Sequence, residues 1–289
     1  MPIPAPASET PSTTAPSNAV PSHGRLLLIP NTLDLGCTPA DAPPPDLREV
    51  LPLGAIRAAS RLTHWVAENA KSTRAFLKRV AEVEPLAVAM QAMHIAELPR
   101  PAKGGAKAGG EGKASATEVN AATARELATL LAPAMQGHDI GLISEAGLPG
   151  VADPGAAVVR AAHQLGLQVV PISGPSSLVL ALAASGLQGQ SFAFVGYLPV
   201  DASQRAQRIR ELEVASRKAQ QTQLVIETPY RNPALWQALL AHLQPGTWLS
   251  VSCGLTLDDG FSHTDTVAHW RERALQLPTD IPTVFSWLA

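Results

Sequence analysis

From residue 139 onward, apolar and polar positions alternate in blocks of two kinds. "DIGLISE" is a short apolar run that stops on an acid. "PGAAVVRAAHQLG" repeats its apolar residues at helical spacing, with Pro154 at its entry and Gly166 as its stop. "LQVVPIS" returns to a strand, and "GPSSLVLALAASG" to a helix that Pro175 opens and Gly186 closes. Repeated strand-helix units of this kind predict a parallel sheet whose functional loops lie at the carboxyl ends of the strands.

Upstream, "RLLLIP" reads as a buried strand ended by Pro30, and residues 46–61 read as one helix in spite of Pro52. "LTHWVAEN" is a second strand, ending on Glu68 and Asn69. "AKSTRAFLKRV" is an amphipathic helix with Phe76, Leu77 and Val80 opposite Lys71, Arg74 and Lys78. A further helix starts at Thr117 and is closed by Gly137. A second block begins near residue 190, with strands "FAFVGYL", "TQLVIETP" and "TWLSVSCGLT", helices "DASQRAQRIRELEVASRKA" and "NPALWQALLAHL", and the closing segments "HTDTVAHWRERA" and "PTVFSWLA". The pattern predicts an α/β protein of two domains, 23–188 and 189–289.

Composition narrows this. With 46% apolar and 16% charged residues, 289 residues can fill two ordinary cores. A net charge of −2 gives no global cationic field for nucleic acid. No apolar run reaches the roughly 20 residues of a membrane span, so a cytoplasmic protein with no membrane contact is expected. Residues 1–22, rich in Pro, Ala, Ser and Thr, are expected to be a disordered tail, and the Gly/Ala/Lys stretch 100–116 a flexible excursion. Cys37 and Cys253 match neither a metal nor a disulfide spacing, and no histidine pair has ligand spacing, so no metal is expected. Four tryptophans, Trp236, Trp248, Trp270 and Trp287, read as core or interface.

The candidate chemistry lies in the loops. "ISEAGLPGVADPG" presents backbone groups around Gly147 and Gly150, and "PISGPSS" repeats the pattern after the next strand with Ser173, Ser176 and Ser177. Neither loop fits a dinucleotide or triphosphate fingerprint. Asp153 reads as the entry of the helix that follows. Basic residues cluster on two helices, Lys71, Arg74, Lys78 and Arg79 on one and Arg205, Arg208, Arg210, Arg217 and Lys218 on the other; Glu211 and Glu213, interleaved with the latter, read as a solvated surface.

In order, "ISEAGLPGVADPG", "VVPISGPSSLVLALAASGL", "FAFVGYLP" and "LVIETPYR" resemble the tetrapyrrole (corrin/porphyrin) methylase superfamily, and within it the ribosomal small subunit methyltransferase I type. The resemblance implies two α/β domains with a cofactor cleft between them, S-adenosylmethionine as methyl donor, and 2′-O-methylation of a ribose in 16S rRNA, with rRNA or the small ribosomal subunit as partner and a homodimer as the assembly. It places Pro30, Ser144, Glu145, Ala146, Gly147, Val151, Ser176, Ser177, Glu227, Thr228 and Gly254 around the donor. Glu68 takes the place of an acid in the family's "EDTRHT" motif and becomes the candidate proton acceptor, with a helix-capping or salt-bridged carboxylate as its competing role. The chain departs from that motif with "ENAKST", and from "PTPIGNL" with "PNTLDLG". A tetrapyrrole or other small-molecule acceptor, and a donor-binding protein without catalysis, stand as alternatives.

Overall fold

The computed structural model describes residues 23–34, 37, 44–99 and 116–289, with side chains of the helix at 116 described from residue 124. The tail at 1–22 and nearly all of the Gly/Ala/Lys stretch lie outside the described residues.

The first sheet contains β1 (Leu26–Leu28), β2 (His64–Ala67), β3 (His94–Glu97), β4 (Ile140–Ile143) and β5 (Val169–Pro171) in the order β3-β2-β4-β1-β5. All its pairs are parallel. Helices α1 (Leu53–Arg61) and α2 (Ala70–Val83) cover one face; α3 (Ala116–Met135) and α4 (Ala156–Gln164) cover the other. Neighbouring residues on a strand point to opposite faces. Leu27, Trp65 and Ile143 join the α1–α2 core, while Leu26, Val66 and Leu142 join the α3–α4 core. With both faces covered, the strands read as continuous apolar runs.

Two expectations change here. Residues 46–61 form a 3-10 turn at Leu47–Glu49 and a separate helix α1, because Pro52 has no N–H to continue a helix and instead occupies the N-cap of α1. Strand β3 went unpredicted: "HIAE" is a mostly exposed edge strand with one apolar residue of substance, too weak a pattern to read.

The second sheet contains β6 (Phe192–Phe194), β7 (Thr222–Ile226), β8 (Trp248–Cys253), β9 (Phe261–Thr266) and β10 (Thr283–Leu288) in the order β6-β7-β10-β8-β9. Only β6 and β7 pair in parallel: β10 runs antiparallel to both β7 and β8, and β8 antiparallel to β9. Helices α6 (Ala202–Ala219), α7 (Asn232–His242) and α8 (Val267–Arg271) pack on one face through Ile209, Trp236, Leu239 and Trp270 against Val225, Val251, Phe285 and Trp287. Trp236 and Trp270 meet edge to face at 5.0 Å between centroids. Trp248, by contrast, is 49% exposed. Glu213 is also not the solvated residue it resembled, being buried and accepting from the backbone N of Gln244 at 2.7 Å and from the Thr247 hydroxyl.

The opposite face of this sheet is covered by α5 (Ser177–Ser185), which packs Leu178, Ala181 and Leu182 on Leu224 and Val284. The helix follows β5 of the first sheet in sequence and ends on Gly186 in the left-handed conformation. It therefore links the two halves, and the loop that precedes it faces both. Among the described residues no helix is long and apolar enough to cross a membrane.

Candidate functional site

The loops that leave β1, β2, β4 and β5 share the carboxyl edge of the first sheet. Asn31 ties two of them. Its backbone N donates to Gly147 O at 2.9 Å, and its buried side-chain amide donates to Ser144 O at 3.1 Å and to Glu145 O at 3.0 Å. Gly147 sits at a φ of +62°, a conformation that suits glycine, and a Cβ there would come 3.4 Å from Leu33. The β1 loop is itself anchored by Asp34, which accepts from Thr32 and, at 3.0 Å, from Arg79 on α2. Asn31 and Asp34, where this chain departs from "PTPIGNL", thus have structural work in the loop.

Glu68, at the end of β2, reaches across to the next loop, where its Oε2 accepts from the backbone N of Glu145 at 3.2 Å. Neither competing role applies. The cap of α2 is Asn69, whose Oδ1 accepts from Lys71 N at 2.8 Å and Ser72 N at 3.3 Å. Among the described residues Glu68 has no ion-pair partner. Glu68 is thereby aimed into a cavity of about 450 Å³ that lies between the two sheets. That volume falls in the range of small-molecule sites, roughly 300–1,000 Å³.

The first half contributes Glu68, residues 145–148, and Val151 to Asp153 to this cavity; Ser176, Ser177 and Leu178 follow from the start of α5. The second half contributes Tyr197, Ile226 to Pro229, Ser252, Gly254, Leu255 and residues 282–284. Nine of the expected donor-site positions, Glu145, Ala146, Gly147, Val151, Ser176, Ser177, Glu227, Thr228 and Gly254, come together here with Glu68. Pro30 and Ser144 do not line it. Pro30 packs on Gly174, so closely that a Cβ on that glycine would fall 2.1 Å from the proline Cβ, and Ser144 is buried with its hydroxyl 3.4 Å from Pro154 O.

The second wall is tied together by hydrogen bonds. Glu227 has a side chain only 2% exposed, and its Oε1 accepts from Thr228 N at 2.8 Å and from Arg231 Nη2 at 2.8 Å. This carboxylate is tied to the wall through Oε1 and balances the charge of Arg231. Glu68, Glu145 and Asp153 form no ion pair among the described residues, so the first wall carries unbalanced negative charge.

Asp153 is the residue most misjudged from sequence. Helix α4 begins three positions later with Gly155 as its N-cap and no side-chain cap, so Asp153 is left to face the cavity. Burial, and then the charges of Glu68 and Glu145, push its carboxyl up to about 6. Tyr197 is raised above its ordinary value by burial and then by Asp153 and Glu227.

A pH dependence follows. A carboxyl raised in the folded state stabilises the fold fully below its unfolded value near 3.8, and that contribution is lost as pH rises through about 6. Asp153→Asn is therefore expected to match the wild type at pH 4 and to exceed its stability at pH 7.5. The gain should be on the order of 1 kcal/mol after allowance for solvent screening at this half-buried position. Urea unfolding at the two pH values checks this, and an advantage that is equal at both would exclude Asp153 as the cause.

Two α/β halves with a cleft walled by Gly/Ser loops and unpaired carboxylates define a protein of the two-domain α/β class. The sequence profile of the Tetrapyrrole (Corrin/Porphyrin) Methylases matches residues 45–268, well over half of the chain, and the chain belongs to that family. Among curated relatives it is 41% identical over 95 residues to Ribosomal RNA small subunit methyltransferase I of Pseudomonas aeruginosa, covering 33% of this chain and 32% of that one. To the Mesorhizobium japonicum protein of the same name it is 42% identical over 102 residues, or 35% and 33% of the two chains. To that of Leptospira biflexa it is 35% identical over 151 residues, or 52% and 60%. The matched stretch thus spans about a third of the length of the first two relatives. Among solved structures, uroporphyrin-III-C-methyltransferase from Thermus thermophilus aligns over 92% of each chain with a TM-score of 0.47 and 17% identity.

Proposed function

We propose that this chain transfers a methyl group from S-adenosylmethionine to RNA, at a ribose hydroxyl of small-subunit rRNA. The observation that carries the reading is the composition of the cleft. Glu68, Glu145 and Asp153 lie unpaired opposite a neutralised second wall, which suits a ligand bearing a sulfonium and an ammonium group. Small residues and backbone carbonyls at 145–148 and the hydroxyls of Ser176 and Ser177 suit the sugar and the purine edge. The names of the relatives favour rRNA over a tetrapyrrole as acceptor.

Once bound, the donor supplies an electrophilic methyl on sulfur. The chain's own task is chiefly alignment, and holding donor and acceptor in line can be worth about 7–11 kcal/mol. Residues 145–151 hold the donor from the first half, and Glu227, Thr228 and Gly254 bound it from the second. Glu68, kept in place by the Glu145 N–H, takes the proton of the acceptor hydroxyl. In the same reading the chain divides near residues 188 and 189, works in the cytoplasm and acts as a homodimer; Val179 and Leu180, exposed on the otherwise apolar α5, favour a covered surface there.

Calorimetry with S-adenosylmethionine is expected to give saturable binding, and tritiated donor is expected to label 16S rRNA in 30S subunits from a strain that lacks this methylation. Absence of binding at millimolar donor would remove the methyltransferase reading. Binding with label confined to small molecules would transfer it to the tetrapyrrole-type acceptor.

A further inference from the structure

The chain has two tyrosines, and both stand on the second half beside the cleft. Tyr197 lines the cavity and is 56% exposed; Tyr230 follows the cavity residue Pro229 and is 68% exposed. Open aromatic surface of this size is unfavourable in water, and these two rings are more exposed than Phe192 and Trp248, the other exposed aromatic residues among those described.

Tyr230 is also held. The Arg231 guanidinium lies 5.7 Å from the centroid of its ring. Arg231 is fixed in turn by two bonds, Nη2 to Glu227 Oε1 at 2.8 Å and Nε to Thr228 Oγ1 at 3.2 Å. Both phenol groups fall within the field of the same guanidinium. The result is a pair of aromatic side chains beside a guanidinium whose charge Glu227 already balances, an arrangement suited to a flat, π-faced ligand. On the first half, α2 starts behind its Asn69 cap, two residues after Glu68, and carries the exposed cations Lys71, Arg74 and Lys78 at helical spacing.

We propose that Tyr230, oriented by Arg231, is a stacking platform for a base of the acceptor strand, with Tyr197 as the inner ring of the same platform and the α2 cations as contacts for the flanking phosphates. This deepens the RNA reading above and rests on it. Tyr230 binds and positions; it has no part in the proton or methyl transfer. The site favours single-stranded RNA, because a base within a duplex has both faces covered by its neighbours.

The test uses the full chain and a short fluorescein-labelled, cytidine-containing single-stranded RNA, read by anisotropy, with donor affinity measured in parallel by calorimetry. Tyr230→Ala is expected to weaken RNA binding roughly tenfold, and Tyr230→Phe, which keeps the ring, to remain within about twofold of wild type. Donor affinity should hold in both, which also shows that the variants are folded. RNA binding unchanged in Tyr230→Ala overturns the platform alone and leaves the RNA reading standing. If that variant instead elutes as a smaller species, the ring belongs to a contact between two copies. Absence of RNA binding by the wild type, with donor binding intact, overturns the RNA reading and the platform together.

Discussion

Glu68→Gln is expected to lower methyl transfer to 30S subunits by about 10²–10⁴-fold, the usual contribution of a positioned proton acceptor, and to leave donor affinity within a few fold of wild type. The substitution is chosen for its geometry. Glutamine keeps a carbonyl oxygen that can accept from Glu145 N, so the link between the β2 and β4 loops can survive while the basic carboxylate is lost. Asn69 continues to cap α2, so the helix start should not move. Single-turnover assays with tritiated donor isolate the chemical step from product release. A loss smaller than tenfold would take the proton-accepting role away from Glu68 and leave Asp153, the nearby cavity carboxyl raised to about 6, as the next candidate.

Gly174→Ala is expected to lower the stability of the protein markedly. A Cβ at that position would lie 2.1 Å from Pro30 Cβ and 2.5 Å from Pro30 Cγ. Neither neighbour can yield cheaply. The proline ring has no free rotamer, and its loop is fastened to residues 144–147 by Asn31. Overpacking in such places costs about 1–3 kcal/mol, which corresponds to a fall in melting temperature of roughly 3–10 °C for a chain of this size. The "PISGPSS" loop should shift with Ser176 and Ser177, so donor affinity should fall as well. Thermal unfolding and calorimetry check the two effects, and a variant that melts with the wild type would mean that the Pro30–Gly174 contact is looser than its geometry.

These residues mark where sequence reading succeeds. The alternation from residue 139 to 186 is legible because glycines and prolines punctuate it: Gly166 and Gly186 adopt the positive φ at helix ends that glycine favours. The loops of the site are legible for the same reason. What escapes is direction and distance. Pro30 and Ser144 lie on the right loops but turn inward, one against Gly174 and the other to Pro154 O, and no local pattern encodes that. Asp153 looks like a helix entry because a proline and a glycine follow it, and only the tertiary loop shows it in the cavity. Glu213 has the sequence context of a surface helix and the environment of a core, set by a turn about 30 residues away. Thr283 and Val284 reach the cleft only because β10 pairs with β7 and β8, a non-local register.

That last pairing bears on the order in which the molecule is made. Synthesis delivers β6 to β9 first, yet β7 and β8 are not neighbours; β10 is the strand that separates and joins them. Until it arrives, the second half holds two strand pairs without a common sheet, and Phe285 and Trp287 are missing from its core. The first half has all of its strands by residue 171 and can close while the rest is still emerging. Of the two sheets the second is therefore completed later, and the cleft between them after it. A nascent chain would have one finished wall, with Glu68 and Gly147 in place, and no ligand site until a single late strand completes the other.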